Sequence, residues 1–107
     1  MTTKVAERPY FDGKEVDVIV EKDGRKVAEA TILICEEIPT ITLFGKEARE
    51  PKGTGSLALK KIEQYLKSQG FRQVWITSFP WTHGFYTKNG YKIMDHEPLE
   101  VYLQKDL

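Results

Sequence analysis

The sequence predicts an α/β domain built on a mixed central sheet of about six strands, with one long and one short helix. Three observations predict it. Two runs of alternating apolar residues flank Asp23-Gly24, residues 54 to 69 switch to a helical period, and a β-rich run follows directly after Gly70. Alternation around Asp-Gly is an antiparallel hairpin, because that pair accepts the positive φ values of a tight turn. A strand, a helix and a further strand make a crossover unit, which pairs its strands in parallel through a right-handed connection. The sheet is therefore mixed.

In chain order, residues 1 to 14 are expected to be irregular, since Pro9 and Asp12-Gly13 interrupt them. Val16, Val18 and Val20 mark the first strand; Ala28, Ala30, Ile32 and Ile34 mark the second. A third, about Thr40 to Phe44, follows Pro39. In the helix, Leu59, Ile62 and Leu66 recur at i, i+3 and i+7 with Ala58 and Tyr65 beside them, while Lys60, Lys61, Glu63, Gln64 and Lys67 take the other faces. Gly70 stands where a left-handed C-terminal cap belongs, and Phe71 to Phe79 is rich in β-formers. Thr82 to Lys88 predicts a short helix ended by Asn89-Gly90, and strands at Tyr91 to Asp95 and Leu99 to Gln104 flank a turn at 96 to 98.

With 107 residues the chain is read as one domain over 1–107 with one core. Sixteen basic and sixteen acidic residues leave a net charge of zero and a pI near 6.7, which removes the basic footprint of a nucleic-acid binder. No apolar run approaches the roughly 20 residues that span a bilayer, so neither nucleic acid nor membrane is an expected partner. The first nine residues lack the apolar segment of a secretory signal and the single cysteine excludes an internal disulfide, so a cytoplasmic setting is expected. Cys35 closes an aliphatic stretch and reads as a small buried hydrophobe. No metal is expected.

The chemistry is concentrated in Pro51-Lys52-Gly53-Thr54-Gly55-Ser56, at the mouth of the long helix. Such a turn is either a tight connection or an anion site, since glycines let N–H groups approach a phosphate and the helix dipole favours negative charge. GTGSLA at 53 to 58 fits the dinucleotide fingerprint in form only, because Phe44 ends its strand nine residues before Gly53 and Thr77-Ser78-Phe79 offers no carboxylate. A nucleotide P-loop needs Lys-Ser or Lys-Thr after its second glycine, whereas Ser56-Leu57 follows Gly55.

Residues 49 to 90 resemble the GNAT superfamily of N-acetyltransferases, whose two motifs are present in order: Lys52-Gly53-Thr54-Gly55 before the helix and Phe85-Tyr86-Thr87-Lys88-Asn89-Gly90-Tyr91 after the next strand. The resemblance implies acetyl-coenzyme A lying between the strands at 41 to 45 and 73 to 78, with its pyrophosphate on the N–H groups of Lys52, Gly53, Thr54, Gly55 and Ser56. Its pantetheine arm would pair near Phe44 and Gly45, and Tyr86 would protonate the departing thiolate. The motif position three before Gly53 holds Glu50, with Arg49 one place earlier as a substitute cation.

What these matches imply is transfer of an acetyl group to an unidentified primary amine; the second reading is an acetyl-CoA-binding module with little or no catalysis. The N-terminal strand and helix pair that build the family's acceptor side are expected to be missing. That leaves an open edge near Val16 to Val20, and a homodimer closing it with the partner's N-terminal segment. No general base is obvious: the strand at 40 to 44 lacks a carboxylate, leaving Glu36, Glu37, His83 and His96.

Overall fold

The computed structural model describes residues 1–107. Its elements are β1 (Thr2–Tyr10), β2 (Gly13–Lys22), β3 (Arg25–Ile34), β4 (Thr40–Lys46), α1 (Thr54–Ser68), β5 (Gln73–Ser78), α2 (His83–Lys88), β6 (Lys92–His96) and β7 (Val101–Asp106). They form one sheet in the order β1-β2-β3-β4-β5-β7-β6, in which β4 and β5 alone are parallel. The mixed α/β class is as expected; the strand count is seven.

The extra strand is β1, so residues 1 to 14 are not irregular. It pairs with β2 over its whole length, from Thr2↔Glu21 to Tyr10↔Gly13, and the expected open edge at Val16 to Val20 is covered. Those valines are fully buried beneath α1. The chain turns from β1 to β2 through Phe11 at φ 48, a left-handed backbone that a bulky side chain rarely adopts. Gly13 serves close approach instead: a Cβ there would stand 2.4 Å from the Ile34 carbonyl oxygen. The β2–β3 turn is the one the sequence announced, with Asp23 at φ 55 and Gly24 at φ 77.

Both helices lie on one face. Ala58, Leu59, Ile62 and Leu66 meet Val16, Val18, Val20, Ala28, Ala30, Ile32, Val74 and Ile76 in a single core, each large side chain contributing roughly 1.5–3 kcal/mol by leaving water. Glu63 departs from the solvent-facing position expected of it and is buried within this layer. Gly70, at φ 93, ends α1 as expected: its N–H bonds Lys67 O at 3.0 Å and that of Phe71 bonds Leu66 O at 3.2 Å. Gly90 ends α2 in the same way, with Gly90 N–H on Thr87 O and Tyr91 N–H on Tyr86 O. The other face of the sheet carries no helix and shows Asp17, Thr31, Trp75 and Tyr102 half-buried or exposed. Cys35 is exposed beyond the end of β3, a correction to its expected burial. No helix is long and apolar enough to cross a membrane.

Candidate functional site

Parallel strands β4 and β5 pair only at Thr40↔Trp75 and Ile41↔Ile76, then part. The cause lies on the other side of β4. There Thr31 faces Leu43 while Ile32 faces Ile41, so Thr42 is an extra residue in the ladder with β3. A bulge bends its strand and shifts side-chain parity by one. Ile41 and Phe44 therefore both face the helices, and the stretch from Thr42 to Lys46 has no strand partner on its β5 side. The result is a wedge-shaped opening whose β4 wall includes Phe44 and Gly45.

The loop before α1 stands at the same end of the sheet as this opening. Gly53, at φ 94, holds the left-handed conformation that turns the chain into the helix, with open space around it. The Thr54 N–H bonds Pro51 O at 3.2 Å, whereas those of Lys52, Gly53, Gly55 and Ser56 have no intramolecular acceptor. Four free donors at the positive end of a fifteen-residue helix suit an anion. Arg49 and Lys52 are exposed beside them with no acidic partner.

Glu50 is not a free carboxylate beside these donors. Arg25, at the start of β3, grips it with both arms: Nε to Oε1 at 2.9 Å and Nη2 to Oε2 at 3.2 Å. The guanidinium holds the Glu50 carboxyl below the usual carboxylate range. Lys46 Nζ also donates to the Glu50 carbonyl at 3.1 Å. Arg25 and Lys46 are supporting residues that sequence reasoning missed; nothing local marks Arg25, 25 positions from Glu50, as its partner.

The two motifs meet through aromatic packing. Phe85 stacks on Phe44 with centroids 5.9 Å apart, and a Cβ on Gly55 would touch the Phe85 ring at 3.4 Å. Tyr86 lies next to them, edge-on to Phe44 at 6.5 Å and to Tyr91 at 5.9 Å. Its ring is buried, and its hydroxyl, which has no hydrogen-bond partner, is not among the fully enclosed polar atoms and so keeps access to solvent. Burial raises the Tyr86 phenol above its ordinary value, which keeps it protonated at neutral pH. The structure thus gathers Phe44, Gly45, Arg49, Lys52, Gly53, Thr54, Gly55, Ser56 and Tyr86 around one end of the sheet.

Glu36 and Glu37 fall elsewhere. They precede Thr40, at the end where β4 and β5 are paired, and line open surface depressions of about 660 and 680 Å³ that touch neither motif.

No known family profile and no curated protein matches the sequence. Solved structures do. An acetyltransferase from Bacillus cereus superposes with a TM-score of 0.75 at 23% identity, over 89% of this chain and 74% of that one. The PaiA N-acetyltransferase of Thermoplasma acidophilum, solved with coenzyme A, gives 0.72 at 18%, over 87% and 61%. A GNAT family acetyltransferase from Elizabethkingia anophelis, with acetyl-CoA bound, gives 0.69 at 16%, over 90% and 77%.

The chain has the GNAT acetyltransferase fold. It is shorter than these neighbours, and one place of economy is visible: β1 passes to β2 through Phe11 and Asp12 alone, so no helix intervenes there. The first strand that the GNAT resemblance led us to expect missing is present; the helix pair is not. The residues at this end of the sheet fit the chemistry of coenzyme A: free N–H donors and two unpaired cations for a diphosphate, a Glu50 paired with Arg25, and an unpartnered strand edge for an amide-bearing arm.

Proposed function

We propose that the protein transfers an acetyl group from acetyl-CoA to a primary amine of a small molecule or a protein. One observation supports this reading above the others: Tyr86, whose hydroxyl has no partner within the protein, packs edge-on to Phe44 on the β4 wall of the opening. Acetyl-CoA supplies the thioester whose acetyl group is transferred. The N–H groups of Lys52, Gly53, Gly55 and Ser56, with Arg49 and Lys52, hold the diphosphate. The edge of β4 near Phe44 and Gly45 pairs with the pantetheine amides and offers N–H donors where negative charge grows on the carbonyl oxygen. Tyr86 gives its proton to the departing thiolate, within reach in a closed ternary complex. A cytoplasmic setting suits the exposed thiol of Cys35.

Calorimetric titration with acetyl-CoA, paired with a thiol-release assay over a panel of primary amines, tests this reading. We expect binding and amine-dependent release, with Tyr86→Phe lowering turnover about 100-fold and leaving acetyl-CoA affinity unchanged. Binding without transfer to any amine or protein would instead make the chain a coenzyme A-binding module. Absence of binding would overturn both.

A further inference from the structure

The geometry points to His83 as the general base that takes a proton from the acceptor amine, an assignment that rests on the transferase reading above. His83 opens α2 three residues before Tyr86, which puts the two side chains on neighbouring positions of one helix face. Tyr86 serves the leaving sulfur. His83 stands one turn nearer the end of β5, toward the β6–β7 turn, and is half-buried.

Its tautomer is set by a single contact. Nδ1 lies in hydrogen-bond contact with the Pro80 carbonyl oxygen. A carbonyl only accepts, so Nδ1 carries the hydrogen, and in the neutral ring Nε2 is left with the lone pair. The turn that supplies this carbonyl is itself pinned: Thr82 N–H and Oγ1 both bond Phe79 O, at 3.0 and 3.2 Å, and Ser78 Oγ meets Thr82 Oγ1 at 2.6 Å. A base fixed in ring orientation and tautomer is prepared for proton abstraction without reorganising.

The remaining candidates are engaged or misplaced. Glu36 and Glu37 sit at the paired end of β4 and β5, Glu50 is held by Arg25, Glu63 by Lys105, Glu100 accepts from the Tyr102 hydroxyl, Asp95 accepts from the His96 N–H, and Glu97 lines a depression with Trp75 and Tyr102 on the helix-free face. No carboxylate pairs with His83. The titratable group facing it is His96 of β6, edge-on with ring centroids 6.3 Å apart. Just before His83 in the chain, Phe79 and Trp81 stack at 4.9 Å with their planes 1° apart and most of their surface exposed, an apolar surface for the carbon skeleton of an amine.

The proton count closes. As the amine nitrogen bonds the acetyl carbon and the carbon–sulfur bond breaks, an ammonium becomes an amide and sheds two protons. His83 Nε2 takes the first and passes it to solvent; the second balances the proton that Tyr86 gives the thiolate.

The test uses His83→Gln, with His96→Gln and Glu97→Gln as controls, in the full chain with acetyl-CoA and the best amine of the panel. Long-range ¹H–¹⁵N correlation of the two imidazoles, assigned with His96→Gln, should show His83 protonated at Nδ1 whatever the activity. In His83→Gln, kcat/KM at pH 7 should fall about 100-fold and the deficit should close as pH rises and the amine deprotonates unaided, while acetyl-CoA affinity stays unchanged. The controls should stay within about threefold of the parent. A deficit independent of pH, a retained rate, an Nε2-H tautomer, or a larger pH-dependent loss in either control would overturn the assignment. Wild-type binding of acetyl-CoA without transfer to any amine would remove the transferase reading, and this assignment with it.

Discussion

At Glu50 a single partner decides what a residue does to the site. In the sequence it is a carboxylate three places before Gly53, beside the phosphate-binding loop; in the structure Arg25 takes both its oxygens. The loop glycines were legible because a glycine turn before a helix start is a local pattern, with Gly53 at positive φ, whereas Tyr86 was singled out by its place in the second GNAT-like motif. Arg25 was not legible, since only the pairing of β3 with β4, with Ala28 opposite Lys46, brings the Asp23-Gly24 turn to this loop. Replacing Arg25 with alanine should release the Glu50 charge toward the diphosphate and weaken acetyl-CoA binding roughly two- to fivefold at low salt, less at high salt. Calorimetry at two ionic strengths checks this, and an affinity unchanged at low salt would show that Glu50 points away from the ligand regardless. The acid side follows the same sign. A carboxyl whose folded pKa is depressed stabilises the fold above its unfolded value, and that contribution fades as pH falls through the folded one.

The seven strands and two helices differ in how they announce themselves. α1 and α2 carry a helical apolar period or a glycine stop, and β2, β3, β5 and β7 alternate, because each buries one face; β1 does not, since nearly all its residues stay exposed on both faces. Its turn also hides, as positive φ falls on Phe11 rather than on the glycine two places later. Gly13 is fixed by something no local pattern contains, the backbone of Ile34 and Cys35 pressed against it across the β2–β3 ladder. Gly13→Ala should therefore cost about 2–3 kcal/mol through overpacking of backbone that has no flexible end to yield. Urea unfolding would register it as a lower midpoint at unchanged slope. A midpoint within error of the parent would mean the β1–β2 corner can open without cost, and β1 would then contribute little to the sheet.

Across the whole molecule, the parallel pairing of β4 with β5 followed from the crossover unit, but the device that fastens α1, the end of α2 and β7 together is a buried charge that a helical period assigns to solvent. Glu63 receives the Tyr91 hydroxyl at 2.7 Å and Lys105 Nζ at 2.9 Å, and the same Nζ donates to the Asn89 carbonyl at 2.9 Å. Burial and the neighbouring Glu63 carboxylate push the Tyr91 phenol far above its ordinary value, so it remains a donor throughout the working range. Tyr91 in turn packs edge-on to Tyr86, which ties the proposed acid to this cluster. Removing one partner of a buried pair strands the other charge, and that penalty exceeds what the pair contributes when intact. Lys105→Met should therefore destabilise the protein by about 2–3 kcal/mol, somewhat less than a fully buried pair would lose because Lys105 is partly exposed. Adding Glu63→Gln removes the stranded charge while keeping an acceptor for the Tyr91 hydroxyl and a donor near Asn89, so the double variant should recover more than half of the loss. Chemical denaturation of the four proteins gives the coupling directly. Additive losses in the double variant would show that Lys105 acts through its ammonium over the Tyr91 ring, not by compensating Glu63.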